Sequence, residues 1–515
     1  MIPVKPKDVT WTDDQWEAIY DDNKNIIVSA GAGSGKTAVL TERVIRKLRD
    51  GVHINELLIL TFTKAASLEM ADRIRKKIKK IPELSKELNL LNSSYITTFD
   101  SFALSVVKKY HYLLNLSDNI NIIDDGIINI KKNNVMDELF LELYDSKDSK
   151  FLNFIKSFCV KDDSDIRGYL ININNKLDLL SDKYIYLNNY IDNFYSDSYI
   201  DKCINNYLNI INDKIIYIKE LVKGISYIDS DFANKISDSL YMLYNYNSYD
   251  DLVTKLNIKL PVVPRGSDEE LKNLKSTISD IIKEIKKLCC YDNANAIKSC
   301  ILCTKENISV IIDILIEFSK RIDLYKRKLN SYEFSDIAIM AINLLKENDD
   351  VREELFNSFK EIMIDEYQDT NDLQEEFISM ISNHNVYMVG DIKQSIYRFR
   401  NANPYLFKNK YDDYSSSDID RKIDLKNNFR SRCEVINDIN TIFNLIMSDM
   451  IGGASYLDSH QMIFGNDLYN KNIIKDSCDM DIYCYNYDKN SKYSRDEIEA
   501  FFIARDIIDK YNNKY

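Results

Sequence analysis

No stretch of this sequence is apolar enough to cross a membrane. The longest apolar runs, such as IAIMAINLL from Ile337, fall well short of the roughly 20 residues that a membrane span needs. The first residues, MIPVKPKDVTWTDD, lack the apolar segment of a signal peptide. We therefore expect a cytoplasmic protein that has no membrane partner.

An excess of positive charge is also absent, since the net charge is −13 over 515 residues. This balance argues against nucleic-acid binding across the whole surface. It leaves room for a local basic groove, because binding depends on the potential at the site and not on the sum of charges.

The cysteine pattern gives no sign of a disulfide framework. Nine cysteines are an odd number, and without an export signal we expect reduced thiols. Four of them, Cys289, Cys290, Cys300 and Cys303, lie in sequence with the pattern of an amphipathic helix. We interpret these four as small buried side chains and not as metal ligands.

Strands and helices alternate at both ends of a long helical block. NIIVSA, a helix from Lys36, LLILTF and a helix from Ala65 are followed, near residue 360, by the strands EIMIDE and NVYMVGD. This rhythm is typical of a parallel α/β sheet. We expect residues 1–115 and 331–423 to form one α/β domain, 116–330 to be an inserted helical domain, and 424–515 to begin another lobe.

The segment AGAGSGKT follows the first strand and opens a helix. It is the pattern of a phosphate-binding loop, in which Lys36 reaches the terminal phosphates and Thr37 binds Mg²⁺. The first residue is alanine where the strict pattern has glycine. The predicted nucleotide-binding residues are Ala30, Gly31, Ala32, Gly33, Ser34, Gly35, Lys36 and Thr37.

The segment IMIDEYQDT supplies an acidic pair at the end of a buried strand. Asp365 at the strand tip is predicted to hold Mg²⁺ together with Thr37. Glu366 beside it can orient and deprotonate an attacking water. The sequence thus predicts ATP and Mg²⁺ as ligands of one site.

Several motifs in chain order resemble those of superfamily 1 DNA helicases of the UvrD/Rep type. They are AGAGSGKT, TFTKAASLEM, IDEYQDT and VGDIKQSIYRFR. Within that group, KQSIYRFR, WTDDQWEAI and DLKNNFRSRCEVIN most resemble helicase/nuclease proteins of the AddA type, with the RecB type next. The resemblance implies a RecA-like P-loop NTPase domain, a helical insert, the start of a second RecA-like lobe, and ATP-driven movement along DNA.

The resemblance also implies roles for residues outside the phosphate loop. Gln15 and Phe429 would contact adenine, while Gln394 and Arg430 would contact the phosphates. Thr61, Phe62, Thr63 and Thr97 would line the path of single-stranded DNA, and Tyr397, Phe399 and Arg400 would hold its bases and phosphates. Phe62 and Phe399 have an ordinary alternative as core residues.

The implied biology is double-strand break repair, and the implied partners are single-stranded DNA, duplex-end DNA and a second protein of the AddB type. Residues 438–515 show no segment resembling the family's second-lobe arginine motif, and no nuclease domain follows. We therefore expect the N-terminal part of a larger protein that is a poor ATPase alone. Alternatives are a UvrD/Rep-type helicase without a nuclease, or a fragment that binds ATP and DNA without hydrolysis.

Overall fold

The computed structural model describes residues 2–448, 450–451, 453, 455–456, 460–466, 468–469, 480–488 and 491–513. The strands are β1 (Ile26–Ala30), β2 (Leu57–Thr61), β3 (Tyr95–Thr98), β4 (Asn121–Ile122), β5 (Ser331–Tyr332), β6 (Glu361–Ile364), β7 (Val386–Gly390), β8 (Arg421–Leu425), β9 (Asn427–Asn428) and β10 (Ile463–Phe464).

The helices are α1 (Asp13–Tyr20), α2 (Lys36–Arg49), α3 (Lys64–Ile78), α4 (Glu87–Leu90), α5 (Phe99–Lys109), α6 (Asp125–Ser146), α7 (Ser149–Phe158), α8 (Ser164–Leu177), α9 (Lys183–Phe194), α10 (Asp197–Ile228), α11 (Ser230–Tyr244), α12 (Tyr249–Thr254), α13 (Glu269–Leu288), α14 (Ala294–Cys303), α15 (Lys305–Leu329), α16 (Phe334–Glu347), α17 (Asp349–Ser358), α18 (Asp372–Ile381), α19 (Pro404–Tyr414), α20 (Cys433–Ile446) and α21 (Arg495–Asn512). Short 3₁₀ helices lie at Ile54–Glu56, Pro82–Leu84, Leu91–Ser93, Tyr367–Asp369, Ile392–Gln394 and Arg398–Arg400.

The chain divides into two compact units. The first comprises the described residues of 1–98, 357–371 and 382–515, and the second comprises 99–356 and 372–381. The domain boundaries expected from the sequence remain a prediction.

A six-stranded sheet organises the first unit. Its strand order is β3-β2-β6-β7-β1-β8, and every neighbouring pair is parallel. Strands β1, β2, β6 and β7 are buried along their whole length, as expected for a parallel sheet covered on both faces. The predicted α/β fold with a parallel sheet is confirmed.

Helices α1 and α2 pack with the sheet in one hydrophobic core. Helix α1 begins with a capping box, in which the Thr12 hydroxyl accepts from the backbone N–H of Gln15 at 3.2 Å and the Gln15 side chain accepts from that of Thr12 at 3.1 Å. Helix α2 buries an apolar stripe that includes Leu40, Val44 and Leu48. These two helices bring Gln15 and Lys36 to the same edge of the sheet.

The second unit is built mainly from helices. Two hydrophobic clusters form its cores, one around α10, α11 and α13 and one around α6, α7 and α15. The buried ammonium of Lys326 pairs with Glu333 and Asp336, each at 2.7 Å, so this charge is compensated where it is buried. No helix in the described ranges is both long and apolar enough to span a bilayer.

The prediction of four buried cysteines in one amphipathic helix was wrong. Helix α13 ends at Leu288 and α14 begins only at Ala294, so the stripe is interrupted. Within α14 the buried residue is Ile297. Cys290, Cys300 and Cys303 are consequently exposed, and Cys289 is half-buried.

Candidate active site

The predicted phosphate loop joins β1 to α2. Ala30 is fully buried at the end of the strand. Gly35 adopts a left-handed conformation with φ of +88°, and α2 begins at the next residue, Lys36. The N-terminus of a helix presents unpaired N–H groups and a positive potential. The loop therefore has the local structure that holds a phosphate.

Gly33 is required both by its conformation and by the space around it. Its φ is +73°, a value that side chains with a Cβ rarely adopt. A Cβ at this position would lie 2.7 Å from the Cβ of Arg430 and 2.9 Å from Oδ1 of Asn428. The segment after β9 therefore packs directly against the phosphate loop.

Hydrogen bonds hold the phosphate loop from two sides. The side-chain amide of Gln15 donates to the carbonyl of Ser34 at 2.9 Å, and that of Asn428 donates to Ala32 at 2.7 Å. The backbone N–H of Phe429 donates to Gly33 at 2.9 Å. The structure thus brings Gln15 and Phe429 to the loop. Asn428 was missed, because a lone asparagine in a polar segment carries no sequence signal of its own.

One polar atom of the loop is left for a ligand. The hydroxyl oxygen of Ser34 is buried and has no hydrogen-bond partner among the described residues. Buried polar atoms without partners are uncommon and costly in folded proteins. A bound phosphate oxygen would satisfy this group, so the loop fits a nucleotide.

The acidic pair lies at the carboxyl end of β6, next to the phosphate loop. The ammonium of Lys36 is 2.8 Å from Oε2 of Glu366. Glu366 has a φ of +52°, which costs a non-glycine residue about 1–3 kcal/mol and persists only where the surroundings hold it. The backbone N–H of Asp365 donates to the carbonyl of Leu60 at 2.9 Å, which anchors the pair to β2.

Two carboxyl groups of this site have raised pKa values. Burial, followed by the charge of Glu366, raises the pKa of Asp365 to about 6, while Lys36 opposes the shift. The same causes raise the pKa of Asp369 to about 6. One carboxylate oxygen of Asp369 is buried without a partner in the described part of the chain. A cation that prefers oxygen ligands, such as Mg²⁺, fits this donor set.

A cavity of about 370 Å³ connects the acidic pair with an aromatic surface. Its wall contains Thr37, Phe62, Thr63, Ala66, Glu69, Met70, Asp365, Glu366, Gln368, Asp369, Gln394, Ile396 and Tyr397. The predicted Mg²⁺ residues Thr37 and Asp365 therefore share one cavity with Gln394. Arg430 is exposed beside the phosphate loop, outside this wall.

The aromatic residues predicted to bind DNA form one cluster. The rings of Phe62 and Tyr397 are 4.6 Å apart, and those of Tyr397 and Phe399 are 5.8 Å apart. The Arg400 guanidinium lies over both Tyr397 and Phe399, at 5.4 and 5.8 Å. Phe399 is 76% exposed, which rules out the alternative that it is a core residue.

The predicted threonines lie on strands that lead toward this cluster. Thr61 ends β2, and its hydroxyl donates to the carbonyl of Thr63 at 3.0 Å. The side chain of Thr63 in turn caps α3. Thr97 lies on the edge strand β3, opposite Leu60. Thr61 and Thr63 thus flank Phe62, whereas Thr97 belongs to the neighbouring strand.

These features define a P-loop nucleotide-binding protein of the parallel α/β class. Residues 11–415 match the UvrD/REP helicase N-terminal domain, so the chain belongs to the UvrD/REP helicase family. Helicases of this family use ATP, and membership implies binding to DNA. The resemblance to UvrD/Rep-type helicases is confirmed.

Similar proteins are named as the A component of an ATP-dependent helicase/nuclease. The protein from Clostridium beijerinckii is 33% identical over 519 residues, covering 91% of this chain and 41% of the relative. That from Lachnoclostridium phytofermentans is 32% identical, covering 87% and 36%, and that from Staphylococcus haemolyticus is 29% identical, covering 98% and 45%. The resemblance to the AddA type is thus borne out, and this chain spans less than half the length of these relatives.

Proposed function

We propose that this chain is the motor portion of a helicase/nuclease protein that uses ATP to move along single-stranded DNA during double-strand break repair. The observation that carries the proposal is the shared cavity, whose wall contains both Glu366 and the aromatic residues Phe62 and Tyr397. Family membership and the names of the relatives support the same function.

In this proposal the phosphate loop and Lys36 bind the ATP phosphates, while Gln15 and Phe429 contact the adenine. Thr37 and Asp365 hold Mg²⁺, which when bound offsets phosphate charge. Gln394 and Arg430 add contacts to the terminal phosphate. Competition between this phosphate and Glu366 for Lys36 would release the Glu366 carboxylate, which then accepts a proton from the attacking water.

The DNA strand would lie over the aromatic cluster. Phe62, Tyr397 and Phe399 offer faces for stacked bases, and Arg400 offers a charge for a phosphate. Thr61, Thr63 and Thr97 would line the path beside them. A local site of this kind is compatible with the net charge of −13, because the cluster itself carries arginine.

The wider setting follows from the relatives and is also proposed. We infer that the protein acts on single-stranded and duplex-end DNA in the cytoplasm, together with a second protein of the AddB type. Nuclease activity is part of the relatives' name, and we assign it to none of the described residues.

The test is the binding of a labelled single strand, followed by fluorescence anisotropy at one salt concentration, with and without Mg²⁺ and a non-hydrolysable ATP analogue. We expect the analogue to change the DNA affinity of the 515-residue chain by about fivefold or more. Lys36→Ala should abolish this response, and Lys24→Ala, which changes an exposed lysine before β1, should preserve it. Failure of the unmodified chain to bind both the strand and the analogue would refute the proposal.

A further inference from the structure

Gln368 is a buried amide placed between the two halves of the site. It lies in the 3₁₀ helix Tyr367–Asp369, directly after the acidic pair, and is 1% exposed. Its Oε1 accepts from the backbone N–H of Asp391 at 2.9 Å. Its Nε2 donates to Oε2 of Glu366 at 2.9 Å and approaches Asp369 at 3.4 Å.

The chemistry of its neighbours determines which way this amide points. A backbone N–H can only donate and an ionised carboxylate can only accept. The carbonyl oxygen of the amide must therefore face Asp391, and its NH₂ group must face Glu366. A flipped amide would place a donor against the N–H and an acceptor against the carboxylate, so Gln368 is held in one orientation.

Asp391 continues the connection to Gln394. The side-chain amide of Gln394 donates to Oδ2 of Asp391 at 2.8 Å, and the backbone N–H of Gln394 donates to the carbonyl of Asp391, also at 2.8 Å. Together with the ion pair between Lys36 and Glu366, these bonds form an unbroken chain from the phosphate loop to the segment that carries Tyr397 and Phe399.

Gly390 provides independent support for the importance of this contact. A Cβ on Gly390 would lie 2.5 Å from Oε1 of Gln368, 3.0 Å from Cε2 of Phe407 and 3.2 Å from the backbone nitrogen of Gln368. The absence of a side chain at residue 390 is therefore what lets the amide approach β7. The space around the glycine demands it, and not its backbone conformation.

We propose that Gln368 is a positioning residue that orients the Glu366 carboxylate and couples it to the Gln394 segment. A shift of Glu366 when phosphate takes Lys36 would then be passed through the amide of Gln368 to Asp391. The inference rests on the proposed function, because it assigns the route by which bound nucleotide alters the grip on DNA.

The experiment measures the ratio of single-strand affinities with and without Mg²⁺ and the non-hydrolysable ATP analogue. Gln368→Met keeps the side-chain length but loses both bonds, and Gln368→Glu keeps the acceptor for Asp391 while opposing Glu366. Gly390→Ala leaves the amide in place and crowds it. We expect the ratio to fall from about fivefold or more to within about twofold of unity in all three, while DNA affinity without nucleotide changes little.

Matched controls separate this role from a general loss of packing. Gly168→Ala adds a methyl group where nothing lies within 4 Å, and Gln374→Met makes the same chemical change on α18. Both should keep the ratio of the unmodified chain. Folded Gln368→Met and Gly390→Ala proteins with an unchanged ratio would overturn the inference, as would equal losses of DNA affinity with and without nucleotide. If Gln368→Met lowers the Tm, Gly390→Ala decides.

These outcomes are distinguishable from failure of the proposed function. If the proposed function is wrong, the unmodified chain shows no nucleotide-dependent change in DNA affinity. If only the inference is wrong, the unmodified chain and its Gln368 variants respond alike.

Discussion

Lys36 and Glu366 are 330 positions apart in the chain, yet the ammonium of the first lies 2.8 Å from a carboxylate oxygen of the second. The two residues follow β1 and β6, whose carboxyl ends meet at one edge of the parallel sheet. Any phosphate that binds Lys36 must compete with this ion pair. Binding of the nucleotide and exposure of the proposed base are therefore linked.

Glu366→Gln should preserve nucleotide binding and remove turnover. Glutamine has nearly the same shape and still offers an oxygen to Lys36 and Gln368, but it cannot take a proton from water. Loss of a general base typically costs about 10²–10⁴-fold in rate. Phosphate release in the presence of single-stranded DNA measures turnover. Glu69→Gln, on the wall of the same cavity, is the control, and turnover by Glu366→Gln equal to that of the unmodified protein would exclude Glu366 as the base.

The raised pKa of Asp365 predicts a stability effect that depends on pH. The pKa of this group is about 6 in the fold against a reference value of 3.8. The fold therefore favours the protonated form, and that contribution to stability is lost as the pH rises through 6. In buffer without divalent cations, Asp365→Asn should raise the Tm more at about pH 8 than at about pH 5.

Asp72→Asn is the control for this measurement. Asp72 pairs with Lys76 on the surface, which lowers its pKa, so it stays ionised across the same range and its replacement should give no such pH dependence. Adding Mg²⁺ at the higher pH should raise the Tm of the unmodified protein more than that of Asp365→Asn. Equal Tm differences for Asp365→Asn at both pH values would contradict the assignment.

Burial explains which parts of the fold the sequence predicts. β1, β2, β6 and β7 are buried on both faces and read as continuous apolar runs, so they were predicted. β8 is an edge strand in which only Ile423 and Leu425 are buried, and its charged neighbours hide it. The phosphate loop and acidic pair carry local motifs, whereas the bond between Gln368 and Asp391 joins segments that only the folded sheet brings together.

Arg43 shows the same limit and offers a test of stability. It is fully buried on α2, and its guanidinium donates to Glu361 at 2.6 Å and to the carbonyl of Asp21 at 2.8 Å, 4.2 Å from the centre of the Tyr387 ring. Removing one partner of such a pair strands the other charge. Arg43→Met should therefore lower the free energy of unfolding by about 3–5 kcal/mol.

Urea denaturation measures this loss. Arg73→Met breaks an exposed pair with Glu69 on α3 and should cost only about 0–1 kcal/mol. The double replacement Arg43→Met with Glu361→Leu removes both charges and should recover part of the loss. A cost for Arg43→Met as small as that for Arg73→Met would show that the buried pair is not needed for the stability of the sheet.

The exposed ring of Phe399 gives the sharpest test of the DNA surface. Because Phe399 is 76% exposed, Phe399→Ala removes little buried area, and the Tm should stay unchanged. If the ring stacks on a base, the same change should weaken single-strand binding by about 1–3 kcal/mol. Affinity for the ATP analogue should stay the same, because Phe399 is not part of the cavity wall that holds Thr37 and Asp365.

Phe501→Ala separates stacking from a general loss of exposed aromatic surface. Phe501 is 63% exposed on α21 and lies outside the cluster of Phe62, Tyr397, Phe399 and Arg400, so its replacement should leave DNA affinity unchanged. Fluorescence anisotropy of a labelled strand at one fixed salt concentration compares the two variants without a change in ionic screening. A loss of affinity that is equal in both would mean that the ring acts only through nonspecific contact. A Phe399→Ala protein that binds the strand as the unmodified chain does would place the path of the DNA elsewhere on the molecule.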